Sequence, residues 1–90
     1  MSLESVKVKL IAFASAKDLM KQSEVTINLP KVWPSDDQLK QYICGKLFPQ
    51  LTVIQSTIIL AINEEYIHQQ SSIILNESDV IALIPPITGG

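Results

Sequence analysis

Few residues in this sequence could do chemistry, and the most unusual group stands at its end. The chain finishes IALIPPITGG, so the last carboxylate belongs to Gly90. Pro85 and Pro86 fix their own φ and disfavour helix at their neighbours, so the chain leaves its last apolar run extended. From Ile84 to Gly90 that arm can reach roughly 20 Å at about 3.3 Å per residue. Thr88 is small, and Gly89 and Gly90 lack a Cβ, so the tip can pass through a channel too narrow for other residues. A bare carboxylate on such an arm is suited to insertion into another protein's active site.

The other candidates are weaker. Glu64 and Glu65 are adjacent, and on a strand adjacent side chains diverge. A solvated turn accounts for them better than an acid/base pair. Asp36 and Asp37 are accounted for by a helix start. The three glycines are Gly45, Gly89 and Gly90, which rules out a glycine-rich phosphate loop. Ser35 and His68 have no spacing that implies a triad. Cys44 has no cysteine to pair with, and His68 has no Cys or His companion at metal-ligand spacing. Neither intrinsic catalysis nor a metal site is expected.

Ninety residues allow one domain with a modest core. A chain of this size buries about 60–65% of its unfolded surface. Its composition is 47% hydrophobic, with a mean hydropathy of +0.25, which points to more apolar surface than one core can hide and hence to a protein partner. All seven basic residues are Lys, and the net charge is −2. Without Arg, the usual base reader, nucleic-acid binding is not expected. No stretch approaches the roughly 20 apolar residues of a membrane span. The first strand is too short and too lysine-studded for a signal peptide, so a soluble, cytosolic chain is expected.

The elements that must position the arm can be read from periodicity. In SVKVKLIAF, Val6, Val8 and Leu10 share one face, while Lys7, Lys9, Ile11 and Phe13 share the other. That second face begins charged and ends apolar, which fits either a sheet edge curling under a loop or a contact surface. SAKDLMKQ reads as a short helix capped by Ser15. EVTINLP reads as a strand, with Val25, Ile27 and Leu29 on one face, pairing antiparallel with the first. The main helix opens after Pro34, with Ser35 and Gln38 as a capping box, runs on an apolar stripe of Leu39, Tyr42, Ile43 and Leu47, and is stopped by Pro49. Cys44 beside that stripe is expected to be a half-buried thiol. STIILAINEEYI gives a strand apolar on both faces, a turn at Asn63 to Glu65, and a short strand restarting at Tyr66. A brief segment, a polar turn from Asn76 to Asp79 and a last strand through Ile84 complete an α+β domain over residues 1–84, with a tail over 85–90.

The ending IALIPPITGG, together with VKVKLIAFA and ILAINEEYI, resembles the small sulfur-carrier subunit of molybdopterin synthase, whose members end in Pro-Pro-x-x-Gly-Gly after an apolar strand. The resemblance covers nearly the whole chain and implies a ubiquitin-like β-grasp fold, a mixed sheet packed on one main helix. It implies that this is the non-catalytic small subunit of a sulfur transferase. The Gly90 carboxylate would be adenylated with ATP by an E1-like enzyme, converted to a thiocarboxylate, and used to give sulfur to cyclic pyranopterin monophosphate. ATP would be consumed by that enzyme, with no cofactor bound to this chain. The implied partners are the large catalytic subunit, in an elongated heterotetramer, and the E1-like adenylating/sulfurtransferase enzyme. The family's apolar docking surface maps onto Phe13, Tyr66 and Ile84. Tyr66 departs from the aliphatic residue common there, and Ser78 from a Gly, which would alter the turn type at most. A ubiquitin-related protein modifier and a thiamine-type sulfur carrier are the alternatives; the paired prolines favour the synthase subunit.

Overall fold

A computed structural model describes residues 4–67 and 72–85. The first strand, β1 (Ser5–Ala12), buries Val6, Val8, Leu10 and Ala12 and turns Ser5, Lys7, Lys9 and Ile11 the other way. The period of two in the sequence thus becomes two chemically different faces. β2 (Glu24–Pro30) pairs antiparallel with β1, from Ser5 opposite Pro30 to Ile11 opposite Glu24. Lys9 and Glu24 form an ion pair of 3.3 Å on this edge, exposed enough to add little stability.

The sheet has the order β2-β1-β7-β4-β5, with β4 at Ile59–Ile62, β5 at Glu65–Tyr66 and β7 at Val80–Ile84. β7 occupies the centre, parallel to β1 and antiparallel to β4. A second, two-stranded sheet joins β3 (Val32–Trp33) to β6 (Ile73–Ile74). This is the expected mixed sheet. β3 was not foreseen, because two residues are too few to show a period.

One face of the large sheet carries the helices. Leu10, Leu60, Ile81 and Leu83 from the strands close on Leu39, Ile43 and Leu51, all fully or nearly fully buried. Each such side chain contributes about 2–3 kcal/mol through removal from water. Trp33 closes one end of this core. Its Nε1–H donates to the Pro30 carbonyl at 2.8 Å, and its ring meets Tyr42 edge-on at 5.3 Å.

The helical side differs from expectation in three places. The first helix, α1 (Ala14–Met20), begins before Ser15, so Ser15 lies within it and does not cap it. Phe13 holds the cap position with no side-chain acceptor, and its carbonyl accepts from Ala16 and Lys17. The main helix does start as expected: Ser35 Oγ accepts the Gln38 N–H at 3.3 Å, with Asp36 and Asp37 in the first turn of α2 (Asp36–Gln41). It does not continue as one α-helix to Pro49. Residues Tyr42–Leu47 widen into a π-helical turn, marked by the Phe48 N–H donating to Ile43 O at 2.9 Å. A 3₁₀ segment then runs from Pro49 to Thr57. Cys44, within this turn, is fully buried in the core cluster, beyond the half-burial expected of it.

Candidate functional site

The face of the sheet away from the helices is where the sequence placed its oddity. Register defines two rows there. Ile11 stands opposite Ala82, Ala82 opposite Ala61, and Ala61 opposite Tyr66, so one line of side chains crosses β1, β7, β4 and β5. The next line pairs Ile84 with Ile59 and is continued by Phe13 at the end of β1. Phe13 is 48% exposed, Ile59 45% and Tyr66 66%, while Ile84 is half-buried. Large apolar side chains standing in adjacent register on a sheet face form a patch, unlike scattered surface residues.

Phe13, Tyr66 and Ile84 therefore share one face, as expected of a contact surface. The sequence places Ile11 on this face, and Ile59 and Ala61 on the second face of a strand that is either central or carries a docking face, without assigning them to the interface; Ala82 it leaves unnoticed. Their signal was available. Apolar residues on both faces of STIILAI require a second covered surface, since a one-sided sheet needs only alternate apolar positions.

Backbone bonds fix the patch. The Phe13 N–H donates to Leu83 O at 3.2 Å, so the residue that follows β1 is tied to β7. Tyr66 is held through the β4–β5 hairpin, whose turn residues Asn63 and Glu64 have φ of 52° and 72°. Two successive left-handed residues give a tight two-residue turn of the kind that suits strand twist. Asn adopts this region at low cost; Glu does so less readily. Ser78, in the turn before β7, also has a φ of 72°. That is a conformation Gly adopts freely and Ser only with strain.

Arm and patch meet at β7. This strand ends at Ile84 within the patch, and Pro85 follows it, buried. Pro86, Thr88, Gly89 and Gly90, assigned above to the threading arm and its reactive terminus, lie outside the described residues, as does His68.

Other potentially reactive groups are inert or structural. Burial pushes the Cys44 thiol up to about 11, with Lys40 pulling weakly the other way, so it is neither a nucleophile nor a ligand near neutrality. Asp79 is 9% exposed, with Oδ1 accepting from Asn63 Nδ2 at 2.9 Å and Oδ2 from the Asn76 N–H at 2.8 Å. Among the described residues no group of three His, Cys, Asp or Glu side chains converges as a metal site, and no helix is long and apolar enough to cross a membrane.

Comparison with known proteins agrees with this geometry. The sequence profile of the ThiS family matches residues 13–90. A relative from Arabidopsis thaliana named molybdopterin synthase sulfur carrier subunit is 35% identical over 86 residues, covering 96% of this chain and 85% of that protein. Further relatives of 31–36% identity carry the same name. Among solved structures, small archaeal modifier protein 1 of Methanosarcina acetivorans superposes with a TM-score of 0.70 at 21% identity, covering 97% of this chain and 99% of that one. The complex of subunits 1 and 2 of the molybdopterin-converting factor from Helicobacter pylori gives a TM-score of 0.64 at 22% identity, covering 94% and 100%. At these identities the structural matches establish the ubiquitin-like fold.

Proposed function

This chain belongs to the ThiS family, and from that membership we propose that it is the sulfur-carrier subunit of molybdopterin synthase, acting in molybdenum cofactor biosynthesis. The observation that carries the reading is near full-length similarity to proteins of that name, joined to a Gly-Gly carboxylate on a short proline-led arm that begins where the central strand and its apolar patch end.

The chemistry follows from the carboxylate. A carboxylate is a poor electrophile because its leaving group would be oxide. Attack of the Gly90 carboxylate on the α-phosphorus of ATP gives an acyl-adenylate and releases pyrophosphate. Sulfide then displaces AMP at the acyl carbon and leaves a thiocarboxylate. In the synthase, that sulfur passes to cyclic pyranopterin monophosphate, and water returns the carboxylate. The E1-like enzyme and the large subunit supply the acids, bases and phosphate contacts, and this chain supplies the acyl group and its delivery. Pro85 and Pro86 aim the arm, and Thr88, Gly89 and Gly90 thread it.

Both partners use the patch in this reading. Phe13, Ile59, Tyr66 and Ile84 offer the aromatic and aliphatic anchors that dominate interface energetics, and the arm starts beside them. Docking the patch would place the terminus within the roughly 20 Å span of the arm. Activation in the cytosol, where ATP is abundant, suits this chemistry.

The test is intact mass after incubation with the activating enzyme, ATP and a sulfur donor, followed by a synthase assay with the large subunit. An oxygen-to-sulfur mass gain confined to the C-terminal peptide, and sulfur incorporation into the pterin, are expected. A chain that gains no sulfur, or that is instead found joined to protein lysines, would refute the reading.

A further inference from the structure

The β4–β5 hairpin carries Tyr66 into the docking patch, yet β5 is only two residues long and forms the edge of the sheet. A strand so short has little to hold its angle. Its ladder is Ala61 with Tyr66 and Ile62 with Glu65, continued by the Ile67 N–H donating to Leu60 O at 3.1 Å. The remaining constraint comes from the turn. Asn63 N–H donates to Val80 O at 2.8 Å, which extends the β4–β7 ladder by one residue. The return bond is made by the Asn63 side chain: the Val80 N–H donates to Asn63 Oδ1 at 3.0 Å. The left-handed φ of 52° swings the Asn63 carbonyl out of the ladder, and the side-chain amide takes its place.

The other end of the same amide continues the chain of bonds. Asn63 Nδ2 donates to Asp79 Oδ1 at 2.9 Å, while Asp79 Oδ2 takes the Asn76 N–H. The Asp79 carbonyl also accepts the Lys9 N–H at 2.9 Å. Asp79, itself 9% exposed, thus connects β1, the turn before β7 and the hairpin turn, while Asn63 stays exposed. Only Asn can do the whole task at position 63: it tolerates the left-handed backbone, and its short side chain presents an acceptor and a donor at once.

We infer that Asn63 is a positioning residue for partner docking, clamping the β4–β5 hairpin to β7 so that Tyr66 keeps its place in the row of Ala61 and Ala82, beside the row of Phe13 and Ile84 on the same patch. The inference rests on the docking reading above. The clamp touches no partner and no reacting atom. It removes the freedom of the hairpin before binding, which lowers the ordering cost of the complex.

A double-mutant cycle tests it, using the full-length chain and the purified large subunit, with affinity measured by titration calorimetry. Asn63→Gly keeps the backbone conformation and removes the clamp. It is expected to weaken binding about fivefold to tenfold, the scale of coupling between neighbouring groups. Tyr66→Ala alone is expected to weaken binding by about tenfold or more, as for an aromatic anchor. In the double variant Asn63→Gly should add less than about twofold to the loss from Tyr66→Ala, because the clamp acts through Tyr66. A purely structural role would instead add its full effect in both backgrounds. Asn63→Asp, which keeps the acceptor for Val80 but loses the donor to Asp79, should weaken binding in the same direction and provides a second route if the Gly variant folds poorly. Unchanged affinity in the Asn63 variants, or full additivity with Tyr66→Ala, would overturn the inference while leaving the docking reading intact. A neutral Tyr66→Ala would overturn both.

Discussion

Phe13 and Leu83 are joined by a backbone hydrogen bond of 3.2 Å, although they lie at the ends of two parallel strands that are distant in sequence. The bond locks the backbone of Phe13 while its ring remains 48% exposed. Packing and docking are therefore separable at this position. Phe13→Asp should weaken binding to the large subunit by about 2 kcal/mol or more, the scale of an interface anchor. Its cost to the isolated domain should stay below about 1 kcal/mol, as for an exposed site. Calorimetric affinity and a denaturant melt decide the matter; equal losses in both would make Phe13 a core residue.

The reactive end can be removed without touching the sheet. Deleting Gly90 is expected to abolish thiocarboxylation and pterin sulfuration, with the thermal midpoint and large-subunit affinity nearly unchanged. Mass spectrometry of the incubated protein and a pulldown of the complex check this together. Full sulfur transfer by the shortened chain would disprove the carrier mechanism.

Ser78 predicts a gain. Its φ of 72° is one that Gly adopts freely, and its N–H bond to Lys7 O does not involve the side chain. Ser78→Gly should stabilise the domain by about 0.5–1 kcal/mol, after the entropic cost of Gly in the unfolded chain is allowed for. Chemical denaturation of the two proteins gives the answer directly.

Cys44 sets a limit on alkaline stability. Burial raises the thiol from about 9 to about 11 in the folded state, so the folded protein holds this proton more tightly than the unfolded chain does. Stability from this group is complete below pH ~9 and is lost as pH rises towards ~11. Melting curves across this range should show the loss, and Cys44→Ala should remove that part of the pH dependence. The thiol should also resist alkylation at neutral pH until the protein unfolds.

What could be read ahead of the structure followed the physics that is local in sequence. Ser35 and Gln38 stand three apart and form their cap as expected, because the bond needs no distant partner. The alternation in β1 gave both its buried and its exposed faces. The π turn at Tyr42–Leu47 was hidden because Leu39 and Ile43 are buried whether the turn between Ile43 and Phe48 is α or π. The 3₁₀ segment left a fainter trace, Leu51 and Ile54 three apart, which a search for helical stripes of 3.6 passes over. Asn63 was placed correctly in a turn, but its clamp depends on Asp79, sixteen residues away, and no local pattern announces that contact. The patch was half legible: an apolar outer face could be foreseen, whereas the rows that join Ile11 to Tyr66 exist only once four strands are in register.

β7 fills the middle of the sheet but comes after every other strand among the described residues. Until it enters, β2–β1 and β4–β5 are two separate hairpin-like halves with nothing between them. During synthesis the domain therefore cannot close before its last strand has left the ribosome. A chain cut short of β7 would lack the core as well as the reactive end, and would be exposed to proteolysis. The patch therefore assembles only on chains made at least as far as Ile84, the point from which the arm departs. The position of one strand thus delays closure of the domain until the segment just before the arm has been made.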